Sequence, residues 1–154
     1  MQAVIAERYV EGREINVTLM GSGEHVEVLP LHEIDFAAMP ADRPRIVSYA
    51  AKWDEKHVDY AGTKPVPLRD ASPQVIAAIE RVSLAAWRAV DLRDYGRVDL
   101  RVDDAGVPWV IDVNPNPDIS PDAGCTRAAA AAGLSHPQMV DKIARVALGR
   151  LRRK

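Results

Sequence analysis

The sequence predicts an α+β domain, an antiparallel sheet with flanking helices, and three observations predict it. Apolar and polar residues alternate through residues 3–34 and again through 96–114. Residues 72–91 and 136–151 instead repeat their apolar side chains every three or four positions. Strand patterns come early and helix patterns late, which is the order of an α+β layer arrangement and not of alternating βα units.

The opening stretch, "AVIAERYVEGREINVTLMGSGEHVEVLPLHEI", is punctuated by Glu11-Gly12 and Gly21-Ser22-Gly23. Turn residues between alternating runs predict a three-stranded meander. Residues 37–71 are rich in proline and scattered charge and predict an irregular excursion around a short strand near Ile46 to Ala51. Ser72-Pro73 starts a helix, serine as N-cap and proline in the first turn. Val75, Ile79, Val82, Ala86 and Val90 form its apolar face, and it should end near Asp91. A hairpin about "DDAG" follows. Ser120-Pro121 opens a further helix that Gly133 closes, and a last helix from His136-Pro137 carries Met139, Val140, Ile143, Val146 and Leu151 on one side before a basic end.

The 154 residues are 47% apolar, enough for one core. With 20 basic and 22 acidic residues the net charge is −2, so nucleic acid is not an expected partner. No apolar run reaches the ~20 residues of a bilayer span, and the first 20 residues lack a secretory pattern, so no membrane is expected and the location expected is cytoplasmic. The single cysteine, Cys125, precludes an internal disulfide and reads as a small buried helix residue.

The chemistry concentrates in "GRVDLRVDDAGVPWVIDVNPNP", residues 96–117. Residues two apart on a strand share a face, so Arg97, Asp99 and Arg101 point one way, while Asp112 and Asn114 share a face of the next strand. An even-membered loop would set Asp99 opposite Asp112 and Arg97 opposite Asn114 as one polar patch. A three-residue loop without a compensating bulge would separate them. Val98, Leu100, Val110 or Ile111, and Val113 would form the buried side. Two facing carboxylates need positive charge between them. Arg97 could supply part of it, and an oxygen-only set with an amide suits Mg²⁺ completed by water and phosphate oxygens. The competing reading makes these residues turn formers and solvated strand ends.

The whole block is similar to the metal-binding hairpin of the ATP-grasp superfamily, and more closely to its D-alanine:D-alanine ligase branch. "VIAERYVEGREINVTLM" resembles that family's adenine-and-ribose segment, and Lys52 in "YAAKW" matches a lysine on its mobile loop. The resemblance spans nearly the whole chain. It implies that Glu7 accepts from the adenine amino group, that the backbone of Arg8, Tyr9 and Val10 reads the ring edge, and that Glu14 holds the ribose hydroxyls. Lys52 would approach the ATP phosphates, and Arg101 and Ile111 would lie on the nucleotide face. Asp99, Asp112 and Asn114 would be ligands of Mg²⁺, two ions in the family, for which Mn²⁺ can substitute. Arg97 would be catalytic, stabilising the transferred phosphoryl group and the tetrahedral intermediate.

The implied reaction is ATP-dependent carboxylate–amine ligation through an acyl phosphate, with small-molecule acid and amine partners. Met1 falls just before the adenine strand, so residues 1–154 are expected to be the C-terminal lobe, without the family's N-terminal and central domains, and inactive alone. The alternative is a non-catalytic nucleotide-binding or self-association module, for which a homodimer is the expected assembly. "PNPDISPDAG" departs from the ligases, with Asp118 in place of glycine and Ala123 in place of a serine near the substrate carboxylate. An acid there disfavours an anionic second substrate, so D-alanine is not the expected amine. Arg101 replaces an apolar residue beneath adenine and would pack its stem there. Simpler readings stand beside these. Glu7, Glu14, Glu33 and Asp35 could face solvent, Trp53 could be a packing residue, and His25, His32, His57 and His136 show no ligand spacing.

Overall fold

The computed structural model describes residues 3–152. Its centre is β1 (Arg13–Ser22), an edge-to-edge partner for four-residue strands on one side and a long one on the other. On one side β2 (His25–Val28) returns from the Gly21–Gly23 turn to pair with the end of β1, and β3 (His32–Asp35) pairs with its start. β4 (Lys64–Pro67) adds beyond β3. On the other side β5 (Asp94–Val102) pairs with β1 along its whole length, and β6 (Pro108–Asn114) closes that edge, giving the antiparallel order β4-β3-β1-β5-β6.

The three expected strands are present, but they do not form a meander: β2 and β3 do not pair with each other, and both run antiparallel to β1 as one interrupted return strand. They also begin later. Residues 3–11 form no strand, and the three strands are those after Gly12. Gly12 sits at φ 132° against the Val102 carbonyl, where a side chain would collide, so the chain turns into β1 there. The expected strand near Ile46 to Ala51 is also absent. Ser48 instead caps a short helix, α1 (Tyr49–Trp53), its hydroxyl accepting from Ala51 N, and α2 (Val58–Ala61) follows. That local cap wins over a strand pattern too short to find a pairing partner.

α3 (Pro73–Ala89) starts at the Ser72 cap as expected, and Asp91, in the left-handed region at φ 52°, stops it. Ile79, Ser83 and Trp87 are its buried stripe, while Val90 is exposed. The stripe covers one sheet face, where alternate residues Ile15, Val17 and Leu19 of β1 meet Val98, Leu100 and Val102 of β5. Each fully buried aliphatic side chain there contributes roughly 1.5–3 kcal/mol of transfer free energy. On the opposite face α4 (Gly124–Ala131) and α5 (His136–Leu151) cover only the end of the sheet near Met20, with Ala128, Ala129 and Met139 as their core. α4 starts at Gly124 and not at Ser120, because Asp118 draws Ser120 into a turn. In α5 only Met139 is fully buried, and Val140 and Leu151 face out. The remaining part of that sheet face carries the polar side chains.

Candidate functional site

Directly opposite residues of paired strands share a face. The pairings His32 with Asn16, Asn16 with Asp99 and Asp99 with Asp112 therefore lay one polar row across β3, β1, β5 and β6. On either side of it run Thr18–Arg97–Asn114 and Ile34–Glu14–Arg101–Trp109. The register that brings Asp99 opposite Asp112 has an unusual origin. The loop between the paired Val102 and Pro108 is odd-membered, which alone would turn Asp112 to the α3 side. A bulge restores the parity: Leu100 pairs with Val110, Asp99 with Asp112, and Ile111 is the extra residue.

Asp99 is nearly buried, and its charge is matched locally. The Arg97 guanidinium forks onto it, Nε to Oδ1 and Nη2 to Oδ2, both at 2.7 Å, and the Asn16 amide donates to Oδ1 at 2.9 Å. Burial alone would lower the Arg97 pKa, but the hydrogen bonds and charge of Asp99 overcome it and hold it above the ordinary value. Asp112 is exposed and takes no hydrogen bond or ion pair among the described residues. Asn114 Oδ1 accepts from Asn116 N at 2.9 Å. Among the described residues no three His, Cys, Asp or Glu side chains converge as a cage for a metal. Two carboxylates and an amide nonetheless form a hard, all-oxygen donor set that fits Mg²⁺ when a ligand's oxygens complete its shell. Asp112 is the open donor of the set, and Asp99 is shared with Arg97.

The expected base-reading residues gather around a separate cleft of about 620 Å³ at the β5–β6 turn. Glu7, Arg8, Tyr9 and Val10 line one wall and Trp109, Val110 and Ile111 the other. The turn beneath is rigid, because Asp103 accepts from Ala105 N, Val107 N and the Trp109 indole N–H at 2.9–3.0 Å. Those bonds, the indole's first, lower the Asp103 pKa. Val110 and Ile111 are about half exposed, so at this end the expected buried side of the hairpin is open.

Arg101 joins the cleft to the polar rows. It is 3% exposed, more deeply buried than the stem packing expected for it. Nε donates to Val10 O at 3.0 Å, Nη1 to Arg45 O at 2.9 Å and Glu14 Oε2 at 3.3 Å, and Nη2 to the Tyr9 hydroxyl at 2.7 Å. Tyr9 and Phe36 rings flank its guanidinium at 5.2 and 5.8 Å. Glu14 is buried, not solvated, and burial raises its pKa despite the nearby Arg101. Lys52, in the last turn of α1, is exposed and close enough for its charge to act on Glu14. Glu33 pairs with Arg13 at 2.7 Å, and Trp53, expected to pack, is 72% exposed.

Asp118 follows Asn114 in the same turn region. Its Oδ1 accepts from the Ser120 hydroxyl at 2.6 Å and from Ser120 N at 2.8 Å, and those bonds, with the charge of Arg97, lower its pKa. Cys125 is buried in α4 as expected, and Thr18 Oγ1 lies 3.5 Å from its sulfur. Sequence reasoning missed Asn16, the Tyr9 hydroxyl and Phe36. Asn16 was recoverable from its place two residues beyond Glu14 on one strand, but Phe36 reaches the site only through the path of an irregular loop.

Residues 1–145 match the family described as the D-ala D-ala ligase C-terminus. The chain is 34% identical to the uncharacterized protein y4sG of Sinorhizobium fredii, over 95% of this chain and 41% of that protein. It is 33% identical to a D-alanine–D-alanine ligase of a Synechococcus strain, over 94% of this chain and 40% of that enzyme. Among solved structures, the D-alanine–D-alanine ligase of Bacillus anthracis superposes with TM-score 0.73 at 28% identity, covering 96% of this chain and 43% of that one. The same enzyme complexed with ATP superposes with TM-score 0.71 at 23% identity. The chain thus spans about two fifths of the length of these relatives.

Proposed function

The chain belongs to the D-ala D-ala ligase C-terminal family, and from that premise we propose that it is the nucleotide- and metal-binding lobe of an ATP-dependent carboxylate–amine ligase. One observation carries the reading: Asp112, an open carboxylate, stands in register with Asp99 beside the forked Arg97. The Glu14–Arg101 row lies two residues along the strands from that row, about 7 Å away. A ribose and its 5′-phosphates can bridge that spacing, with the base in the cleft of Tyr9, Val10 and Trp109.

In the proposed reaction a substrate carboxylate oxygen attacks the γ-phosphorus of ATP, ADP leaves, and an acyl phosphate forms. An amine then attacks the acyl carbon, phosphate departs, and an amide results. Asp99, Asp112 and Asn114 would hold Mg²⁺, which when bound screens the phosphate charges. Arg97 is kept charged by Asp99 and supplies a fixed cation beside the transferring group. Glu7 and the backbone of Arg8 to Val10 would bind the base, Glu14 the ribose, and Lys52 the phosphates. The ionised Asp118 beside Arg97 would repel an anionic amine, so an uncharged or cationic amine fits better than an α-amino acid.

A titration of the purified chain with Mg·ATP tests the binding half of this reading. Saturating ligand should raise Tm, by linkage to the folded state, and Asp112→Asn should remove the Mg²⁺ dependence while leaving the fold intact. A Tm unmoved by Mg·ATP at millimolar concentration would overturn it. The second reading, a non-catalytic association module, draws on the exposed apolar Trp109, Val110 and Ile111 on the edge strand β6, and on the exposed Val4 and Ile5. It requires concentration-dependent self-association without ADP release.

A further inference from the structure

We infer that Arg101 is a positioning residue for nucleoside recognition, aiming the Glu14 carboxylate at a vicinal diol and fixing the Tyr9–Val10 backbone beside it. The inference rests on the nucleotide reading above and deepens it.

The first support is connectivity. A buried guanidinium that donates to Val10 O, Glu14 Oε2, Arg45 O and the Tyr9 hydroxyl ties together three stretches distant in sequence. Residues 3–11 contain no helix or strand of their own, so their path at Tyr9 and Val10 depends on such side-chain ties. The second support is what remains open on Glu14. Arg101 takes Oε2, and Oε1 accepts no hydrogen bond among the described residues, which leaves one oxygen of a fixed carboxylate for a ligand. A planar, donor-only fork held by four hydrogen bonds and lying within 5.8 Å of two aromatic ring centres keeps a single orientation, whereas an aliphatic side chain would leave the carboxylate free to rotate. The third support is register. Glu14 and Arg101 are directly paired across β1 and β5, one row from Asn16 and Asp99, so the same ladder that places the metal-site candidates also sets the Glu14 position.

Comparison of Mg·ATP with Mg·2′-deoxyATP tests this, because a ratio of two affinities is insensitive to a uniform loss of stability. Equilibrium binding is measured on the 154-residue chain and on Arg101→Met and Arg101→Lys, with thermal melts to establish folding. One hydrogen bond to a charged acceptor corresponds to a preference of about tenfold for ATP in the wild type. Arg101→Met should bring the two affinities within about twofold, and Arg101→Lys, which keeps the charge but not the fork, should fall between. Glu14→Gln, read in the same way, should also lose the preference if the methionine variant does not fold. A folded Arg101 variant with the wild-type ratio overturns this inference alone, as does a wild type that binds both nucleotides equally. A wild type that binds neither removes the nucleotide reading and this inference with it.

Discussion

Asp99 and Asp112 stand opposite each other across β5 and β6 because Ile111 is one residue too many for the ladder. Remove that irregularity from an odd-membered loop and Ile111 would face Asp99, with Asp112 turned to the other side. A facing pair of carboxylates costs stability when nothing lies between them, roughly 0.2–1 kcal/mol for like charges across a ladder. Asp112→Asn should therefore leave the ligand-free chain as stable as the wild type or more stable by a few tenths of a kcal/mol. Urea unfolding without Mg²⁺ checks this, and a clear loss of stability would mean that Asp112 has a structural partner.

Arg97 answers a different question, because its removal strands a charge that is already out of water. Asp99 would keep only the Asn16 amide. Arg97→Met should cost about 2–3 kcal/mol, less than for a fully buried pair since Arg97 is partly exposed. The double variant Arg97→Met/Asp99→Leu should recover part of that loss. Denaturant midpoints of Arg97→Met, Asp99→Leu and the double variant measure the coupling, and strictly additive losses would contradict it.

Gly96 lies where β5 passes beneath Trp87. A Cβ there would stand 2.9 Å from Leu92 Cδ1, 3.1 Å from Trp87 Cζ3 and 3.3 Å from Asn114 O. Gly96→Ala should cost about 1–3 kcal/mol through overpacking. It should also push the Asn114 backbone, so Mg·ATP stabilisation should weaken in parallel. Denaturant unfolding with and without nucleotide separates the two effects.

Burial raises the pKa of Glu14 in the folded chain. A group with a raised folded pKa contributes stability that is fully present below its unfolded value, about 4.3, and is lost as pH rises through the folded value. Glu14→Gln cannot titrate, so the advantage of the wild type over this variant should shrink between pH 4 and neutrality. Unfolding free energies of both proteins at the two ends of that range give the sign directly.

Burial likewise raises the thiol pKa of Cys125. Its contribution is present in full below the unfolded value, about 8.5, and is lost as pH rises through the higher folded value. Iodoacetamide at pH 8.5 should modify Cys125 no faster than the chain opens. Labelling at the rate of a small free thiol would show that α4 opens by itself.

The strands of the hairpin and the helices α3 and α5 were legible because periodicity and start signals are local: Ser72-Pro73 and His136-Pro137 each mark a helix start. The candidate site could be proposed from its residues but not laid out. Whether Asp112 faces Asp99 turned on a loop parity that the sequence left open and on a bulge with no glycine to mark it. Residues 3–11 and 46–51 were misread as strands, because an alternating pattern does not say whether a neighbour is available to pair. Arg101 was read as a stem packing under a base, whereas its partners Tyr9, Phe36 and Arg45 come from segments whose path only the folded chain determines.

The extra residue at Ile111 has a consequence beyond alignment. β6 is the last strand of the sheet, and a flat outermost strand presents evenly spaced free N–H and C=O groups that a stray strand from another molecule can zip onto. Kinking that rail midway, between Asp99 and Leu100 of its partner strand, breaks the spacing at the point where Trp109, Val110 and Ile111 are exposed. A single insertion thus both arranges the chemistry on one face and makes the bare margin a poor seed for fibrils, so its deletion should be felt first in solubility.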